Sequence, residues 1–169
     1  MGTDYASTDA AFGFRPYGNI LSANLYSIAT SPGSAIYHHS LVELGSAALS
    51  TKHGYLPQIA VEETGAEGSI LGTILALFDE NLDPCAYIAA SESGDGTVAG
   101  YALVADHPNQ LYLAQEDGDT SSLQAADMGL NVEAIGTGGS TSTGLSSQEI
   151  DPSSAAITAT LALKLIKPH

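Results

Sequence analysis

The sequence predicts a mainly all-β chain: a small β-barrel or sandwich with one short helix and an extended N-terminal arm. Three observations carry this. Apolar runs are short and recur between clusters of Gly, Pro, Asn, Asp and Ser, which is the spacing of a sandwich or barrel. Two runs alternate with a period of two residues, Ile59/Val61 and the series Ile157, Ala159, Leu161, Leu163 and Leu165, matching the pleat of a strand. The apolar residues are mostly small, with three Phe and no Trp, which suits thin layers in close backbone contact.

Residues 1–19 read as the arm: polar and small, interrupted by Gly2, Gly13, Pro16 and Gly18. A single β-rich domain is expected over 20–169. Its first strand falls within "NILSANLYSIA" (19–29), and "TSPGS" (30–34) carries the Pro-Gly signature of a type II turn. Further strands are expected in "AIYHHSLVEL" (35–44), "PQIAVEE" (57–63), "GSILGTILALF" (68–78) and "AYIAASE" (86–92). Gly72, inside the longest apolar run, points to a bulge or a close backbone approach. "GTVAGYALVAD" (96–106) and "NQLYLAQED" (109–117) flank His107-Pro108 and read as a hairpin. "SSLQAADMGLNVEAI" (121–135) is the helix candidate, capped by Ser121 or Ser122 and ended by Gly129. Residues 136–154 form a Gly/Ser/Thr-rich loop, and "AITATLALKLI" (156–166) is the last strand.

Four Lys and Arg stand against nineteen Asp and Glu, a formal charge of −15. Such a surface repels phosphate and supplies no cations to release counterions, which argues against nucleic acid as a partner. Anionic membranes are excluded on the same ground, and no apolar run reaches the ~20 residues of a membrane span. The N-terminus lacks a basic and an apolar signal region. The expectation is a chain made in the cytoplasm without Sec export. Cys85 is the only cysteine, so it forms no internal disulfide and reads as a small buried hydrophobe.

No catalytic constellation emerges, and neither enzyme activity nor a cofactor is expected. His38 and His39 are adjacent, so in a strand they face opposite ways and poorly share a metal. Asp79-x-Asn81-x-Asp83 copies the start of a calcium loop, but Pro84 and Ala90 stand where that loop needs Gly and Glu. It reads as an acidic turn. Gly94-x-Gly96-x-x-Ala99 matches a dinucleotide fingerprint in form but precedes a strand-like run instead of a helix. It reads as a turn.

One stretch stands out, "AFGFRPYGN" at 11–19, with two of the three Phe and the sole Arg. It resembles the start of a family of small virion proteins of tailed phages, the capsid decoration or cement proteins. "ILGTILALF", "YALVADHPNQLYLAQEDGD", "GLNVEAIGTGGSTSTGLSSQEID" and the closing "TATLALKLIKPH" extend the resemblance over most of the chain. Family members run on past this last strand. The resemblance implies a non-enzymatic cement protein on the outer surface of the capsid, a homotrimer whose partner is the major capsid protein. Phe12, Phe14, Arg15, Pro16 and Tyr17 are the candidate capsid contacts. A rival reading has Phe12 and Phe14 plug the protein's own barrel. A tail or fibre component and a glycan-binding module stacking sugars on Tyr87, Tyr101 and Tyr112 are the alternatives.

Overall fold

The computed structural model describes residues 10–62, 70–118 and 122–167. Almost all regular structure is β, as expected. Strands β1 (Arg15–Tyr17), β2 (Asn24–Ala29), β3 (Ile36–Tyr37), β4 (Leu41–Thr51) and β5 (Gly54–Val61) come first. They are followed by β6 (Ile70–Phe78), β7 (Pro84–Cys85), β8 (Tyr87–Ile88), β9 (Val98–Ala105) and β10 (Leu111–Leu113). The chain ends with β11 (Asn131–Ile135), β12 (Glu149–Ala156) and β13 (Leu163–Lys164).

The main sheet runs β4-β5-β2-β9-β6-β7, and β4 also pairs with β6. The pairings β4–β5–β2–β9–β6–β4 therefore form a closed circuit. Closure is possible because β6 and β9 come unusually close. A Cβ on Gly72 would collide with the carbonyl oxygen of Ala105, and one on Gly100 with that of Phe78. Gly72 also lies next to a register shift between β4 and β6, so both expected roles of this glycine are met. Ile28, Ile36, Val42, Ile59, Ile74 and Val104 fill the interior of the circuit and are fully or almost fully buried.

A second sheet, β12-β11-β13, and two small ladders, β1–β10 and β3–β8, form the rest; the second sheet and the β1–β10 ladder are those that bear on Phe14. They meet the main sheet around a separate cluster of Phe14, Leu41 and Ala134, with Ile70, Tyr112, Ile150 and Leu163 packed against it. Buried Gln148 ties the regions together. Its Nε2 donates to the Glu62 carbonyl at 2.6 Å and its Oε1 accepts from the Leu41 N–H at 2.7 Å.

Several sequence expectations are corrected. The helix over 121–135 is absent: only a 3-10 turn at Ala125–Asp127 forms, closed by Gln124 N–H donating to Asp127 at 2.7 Å. Gly129, at φ +91°, redirects the chain, and alternation of buried Val132 and Ala134 makes 131–135 a strand. The His107-Pro108 hairpin is absent too. β9 pairs with β2 and β6, whereas β10 pairs with β1. The loop expected over 136–154 ends at β12, which spans Asp151-Pro152. Pro152 is tolerated there because it lies in the β11–β12 register shift, where the ladder needs no N–H from it. The long strand over 156–166 is also broken. Ile157 is 90% exposed, and only Ala156, at the end of β12, and Leu163–Lys164 pair, both with β11. Period-two alternation supplies a face but no neighbouring strand.

The turns agree with the sequence. Gly33 takes φ +87° after Pro32. Asp79 Oδ1 accepts from the N–H groups of Asn81 and Asp83 at 2.8 and 2.9 Å. Asp95 Oδ1 accepts from Thr97 and Val98 between the positive-φ glycines Gly94 and Gly96.

Candidate partner-binding surface

The stretch "AFGFRPYGN" is part of the fold from Ala10 onward, so the expected arm is shorter than 1–19; its first nine residues lie outside the described ones. Gly13 sets its course. At φ +72°, with a hypothetical Cβ only 2.8 Å from that of Ser146, the position admits no side chain without strain. The reversal sends Phe14 inward, where it is 1% exposed. The Phe14 N–H donates to the His39 carbonyl at 2.8 Å, and its own carbonyl accepts from Thr73 Oγ1 at 2.9 Å. Phe14 therefore plugs the protein's own core and offers nothing to a partner.

From Arg15 the chain is extended and sides alternate. Arg15 and Tyr17 are exposed and share a face, while Pro16 is half-buried. β1 pairs antiparallel with β10, Pro16 opposite Tyr112 and Tyr17 opposite Leu111. A proline suits this short edge strand because its missing N–H is not needed on the open side. Buried Gln110 pins the chain beyond β1: its Nε2 donates to the carbonyls of Tyr17 and Leu111, and its Oε1 accepts from the Leu21 N–H at 3.1 Å.

Beside this staple lies an open groove of about 280 Å³, lined by Tyr17, Gly18, Asn19, Leu21, Asn109, Gln110 and Leu111. Of its lining, Tyr17, Leu21 and Leu111 are large, apolar and exposed. Two of the four Lys and Arg stand on or against β1: Arg15 shares the exposed face of β1 with Tyr17, and Lys167 lies against the Tyr17 ring. The Arg15 guanidinium lies 5.7 Å from the centroid of half-buried Phe12, and Lys167 Nζ lies 5.9 Å from that of Tyr17. No carboxylate among the described residues is within ion-pair reach of either cation. Apolar surface bordered by available cations fits a partner segment that is apolar and carries an acidic group.

Charge distribution along the chain carries a signal that motif reading missed. Glu43 is the only acid between residues 10 and 61, and only Asp4 and Asp9 precede it, so sixteen of the nineteen acids follow residue 61. This asymmetry leaves residues 10–61 close to neutral, with Arg15 and Lys52 against Glu43, in an otherwise acidic chain.

The other candidates resolve into structural roles. His39 Nδ1 lies 3.1 Å from the Phe12 carbonyl, and His38 reaches the carbonyls of Leu75 and Cys85 at 3.4 and 3.2 Å. Burial lowers the pKa of His39, outweighing its bond to Phe12. Burial raises the Cys85 thiol to about 11, with Asp79 and Glu92 adding to the shift, so it is protonated and poorly nucleophilic at neutral pH. Asp106 accepts from Ser22, Asn24 and Tyr26 at 2.7–2.8 Å. Burial alone would raise its pKa, but these donors together hold it below the ordinary value. Tyr101 is fully buried under the His53 ring, and Tyr87 stacks on Tyr37 at 5.5 Å. Tyr112 is half-buried in the Phe14 cluster. Tyr101 is thus closed to a sugar, and Tyr87 has one ring face taken up by Tyr37.

Comparison with protein-family models, with curated proteins and with solved structures finds no match.

Proposed function

We propose that this chain is a non-enzymatic virion structural protein, a decoration or cement protein. It binds the outer surface of a tailed-phage head as a homotrimer and stabilises the shell. The observation that carries this reading is the groove at Tyr17, Leu21 and Leu111, with Lys167 against Tyr17 and Arg15 on the same exposed face of β1, in a chain of charge −15. The partner is a segment of the major capsid protein. The closed circuit of strand pairings supports a small barrel as the rigid platform behind the groove.

Within the proposed contact, Arg15 and Tyr17 face the partner, with Phe12 beneath the guanidinium, while half-buried Pro16 holds the strand between them from the other face. Phe14 acts from behind by fixing the strand. The open edge of β1 suits strand addition by a capsid segment. A trimer engaging three sites gains through effective concentration, so each contact need only be weak. Binding that requires the assembled lattice stabilises it by mass action.

Deleting residues 1–17 would remove Phe14 from the core, so point variants are the sharper probe. Purified shells lacking the protein are incubated with wild type, Tyr17→Ser and Arg15→Ala, then sedimented. Both variants should fold normally and lose at least about ten-fold in affinity, equivalent to 1.4 kcal/mol. Wild-type binding by both would overturn the reading. So would finding only a few copies per purified particle, or copies confined to the tail.

A further inference from the structure

One face of the β12-β11-β13 sheet packs around Phe14 through Ala134, Ile150 and Leu163. The other face looks outward. Residues opposite each other in a ladder share a face, so the register lays this one out. Lys164 stands against Asn131 at one end, Glu133 against Asp151 comes next, and Ile135 lies beyond. Lys164 and Ile135 are exposed, and Glu133 and Asp151 are half-buried. Asn131 Nδ2 donates to the Thr158 carbonyl at 2.9 Å, which holds the turn after β12 at the Lys164 end. That turn carries exposed Ile157. Leu165 is buried, so alternation returns exposed Ile166 to the side of Lys164.

Charge is sorted along this face. After Asp151 the chain contains no acid, yet it holds two of its four Lys and Arg, Lys164 and Lys167. No carboxylate among the described residues lies within ion-pair reach of Lys164. At the acid end, Asp151 Oδ1 accepts from the N–H and Oγ of Ser153. Neither Asp151 nor Glu133 meets a cation among the described residues. A single exposed apolar residue needs no explanation, but three isoleucines beside unpaired charges of both signs mark an association surface. The matching partner presents carboxylates to the Lys164 end and a cation to the Glu133 end. A second copy of this chain offers both in this same face. Because the two ends differ, such contacts run head to tail and close into a ring when the rotation allows it.

We propose that the outward face of the β12-β11-β13 sheet is the self-association surface of this protein. Lys164, Ile157 and Ile166 of one copy seat on Glu133, Asp151 and Ile135 of the next. The proposal stands on this face alone; the capsid reading enters only through the number of copies.

The test is sedimentation velocity of the full chain at micromolar concentration, without shells. Wild type should sediment as an oligomer. Lys164→Glu and the pair Glu133→Lys/Asp151→Lys should each weaken association about ten-fold or more, since like charges then meet across the contact. Combining all three reversals restores opposite charges and should restore assembly, which a merely damaged fold would not do. Tyr55→Ser, exposed on β5, should sediment as wild type. A measurement without variants adds a second line: amides of 157–162 should exchange more slowly as wild-type concentration rises. A monomeric wild type, a Lys164→Glu chain that assembles like wild type, or concentration-independent exchange over 157–162 would each overturn the proposal. So would a triple variant that keeps slow exchange at β2 and β9 yet stays monomeric. The capsid reading is decided on shells with Tyr17→Ser and Arg15→Ala, so failure of either reading leaves the other legible.

Discussion

In the main sheet, Ile28, Ile74 and Val104 are brought together by continuous ladders such as β2–β9 and β6–β9. Around Phe14 the partners come from β4, β6, β10, β11, β12 and β13, and outside the main sheet these are joined by the interrupted β11–β12 ladder, shorter ladders and single bonds. The first region is held by backbone pairing that its side chains reinforce. The second is held by side chains that its backbone barely organises. Local stability should follow this division, since regions with few ladders open at lower free energy.

The harshest challenge to the first region is Gly72→Val. Its side chain would collide with the Ala105 carbonyl at the closure of the circuit. The loss should exceed about 4 kcal/mol, in the range reserved for severe core disruption, and the readout is failure to recover soluble, protected protein. Phe14→Ala attacks the second region instead. It should cost about 3–5 kcal/mol, as expected for emptying a buried aromatic site. Hydrogen exchange should speed most at β10–β13 and least at β2 and β9. Equal acceleration everywhere would mean that the two regions are one cooperative unit.

Gln148→Leu tests the link between them. It strands the Leu41 N–H and the Glu62 carbonyl, at about 1–3 kcal/mol for each group. Urea titration reads the total. Acid separates the regions more gently. His39 has a lowered folded pKa, so its contribution is present above its unfolded value near 6.5 and is lost as pH falls through the folded value. The Phe14 segment should therefore loosen in mild acid, and His39→Gln should flatten that dependence. Asp106 is likewise lowered. Its contribution is present above its unfolded value near 3.9 and is lost only at stronger acidity, so the clasp on β2 fails later. Thermal unfolding measured across pH, with exchange at both sites, gives the order.

Legibility in the sequence divided along the same line. The strands of the circuit were visible because Ile59 and Val61 alternate and because Gly72 interrupts an apolar run for a steric reason. Turn chemistry at Pro32-Gly33, Asp79 and Asp95 was local, and it was readable. The second region was misread where local pattern and tertiary partner disagree. The 121–135 segment has helix-like ends, yet Gly129 and a waiting β12 made its second half a strand. The 156–166 segment alternates well but finds a neighbour only at its first residue, Ala156, and at Leu163–Lys164. In "AFGFRPYGN" the residue types suggested a contact device, but their division was not legible. That Phe14 turns inward while Arg15 and Tyr17 face out depends on Gly13 and on a strand partner nearly one hundred residues away. The acid-poor interval from 10 to 61 was readable by counting alone.

The position of Phe14 also bears on how the protein is made. Its pocket needs Ile150 and Leu163, and a ribosome delivers Leu163 roughly 150 residues after Phe14, about 8–30 s at usual rates of synthesis. Throughout that interval the Phe14 pocket lacks its last walls, although the strands of the circuit are complete once β9 has emerged. The first described segment to leave the ribosome is thus among the last to dock. A nascent chain stalled after β10 should be held by chaperones through this stretch, with its main sheet already formed.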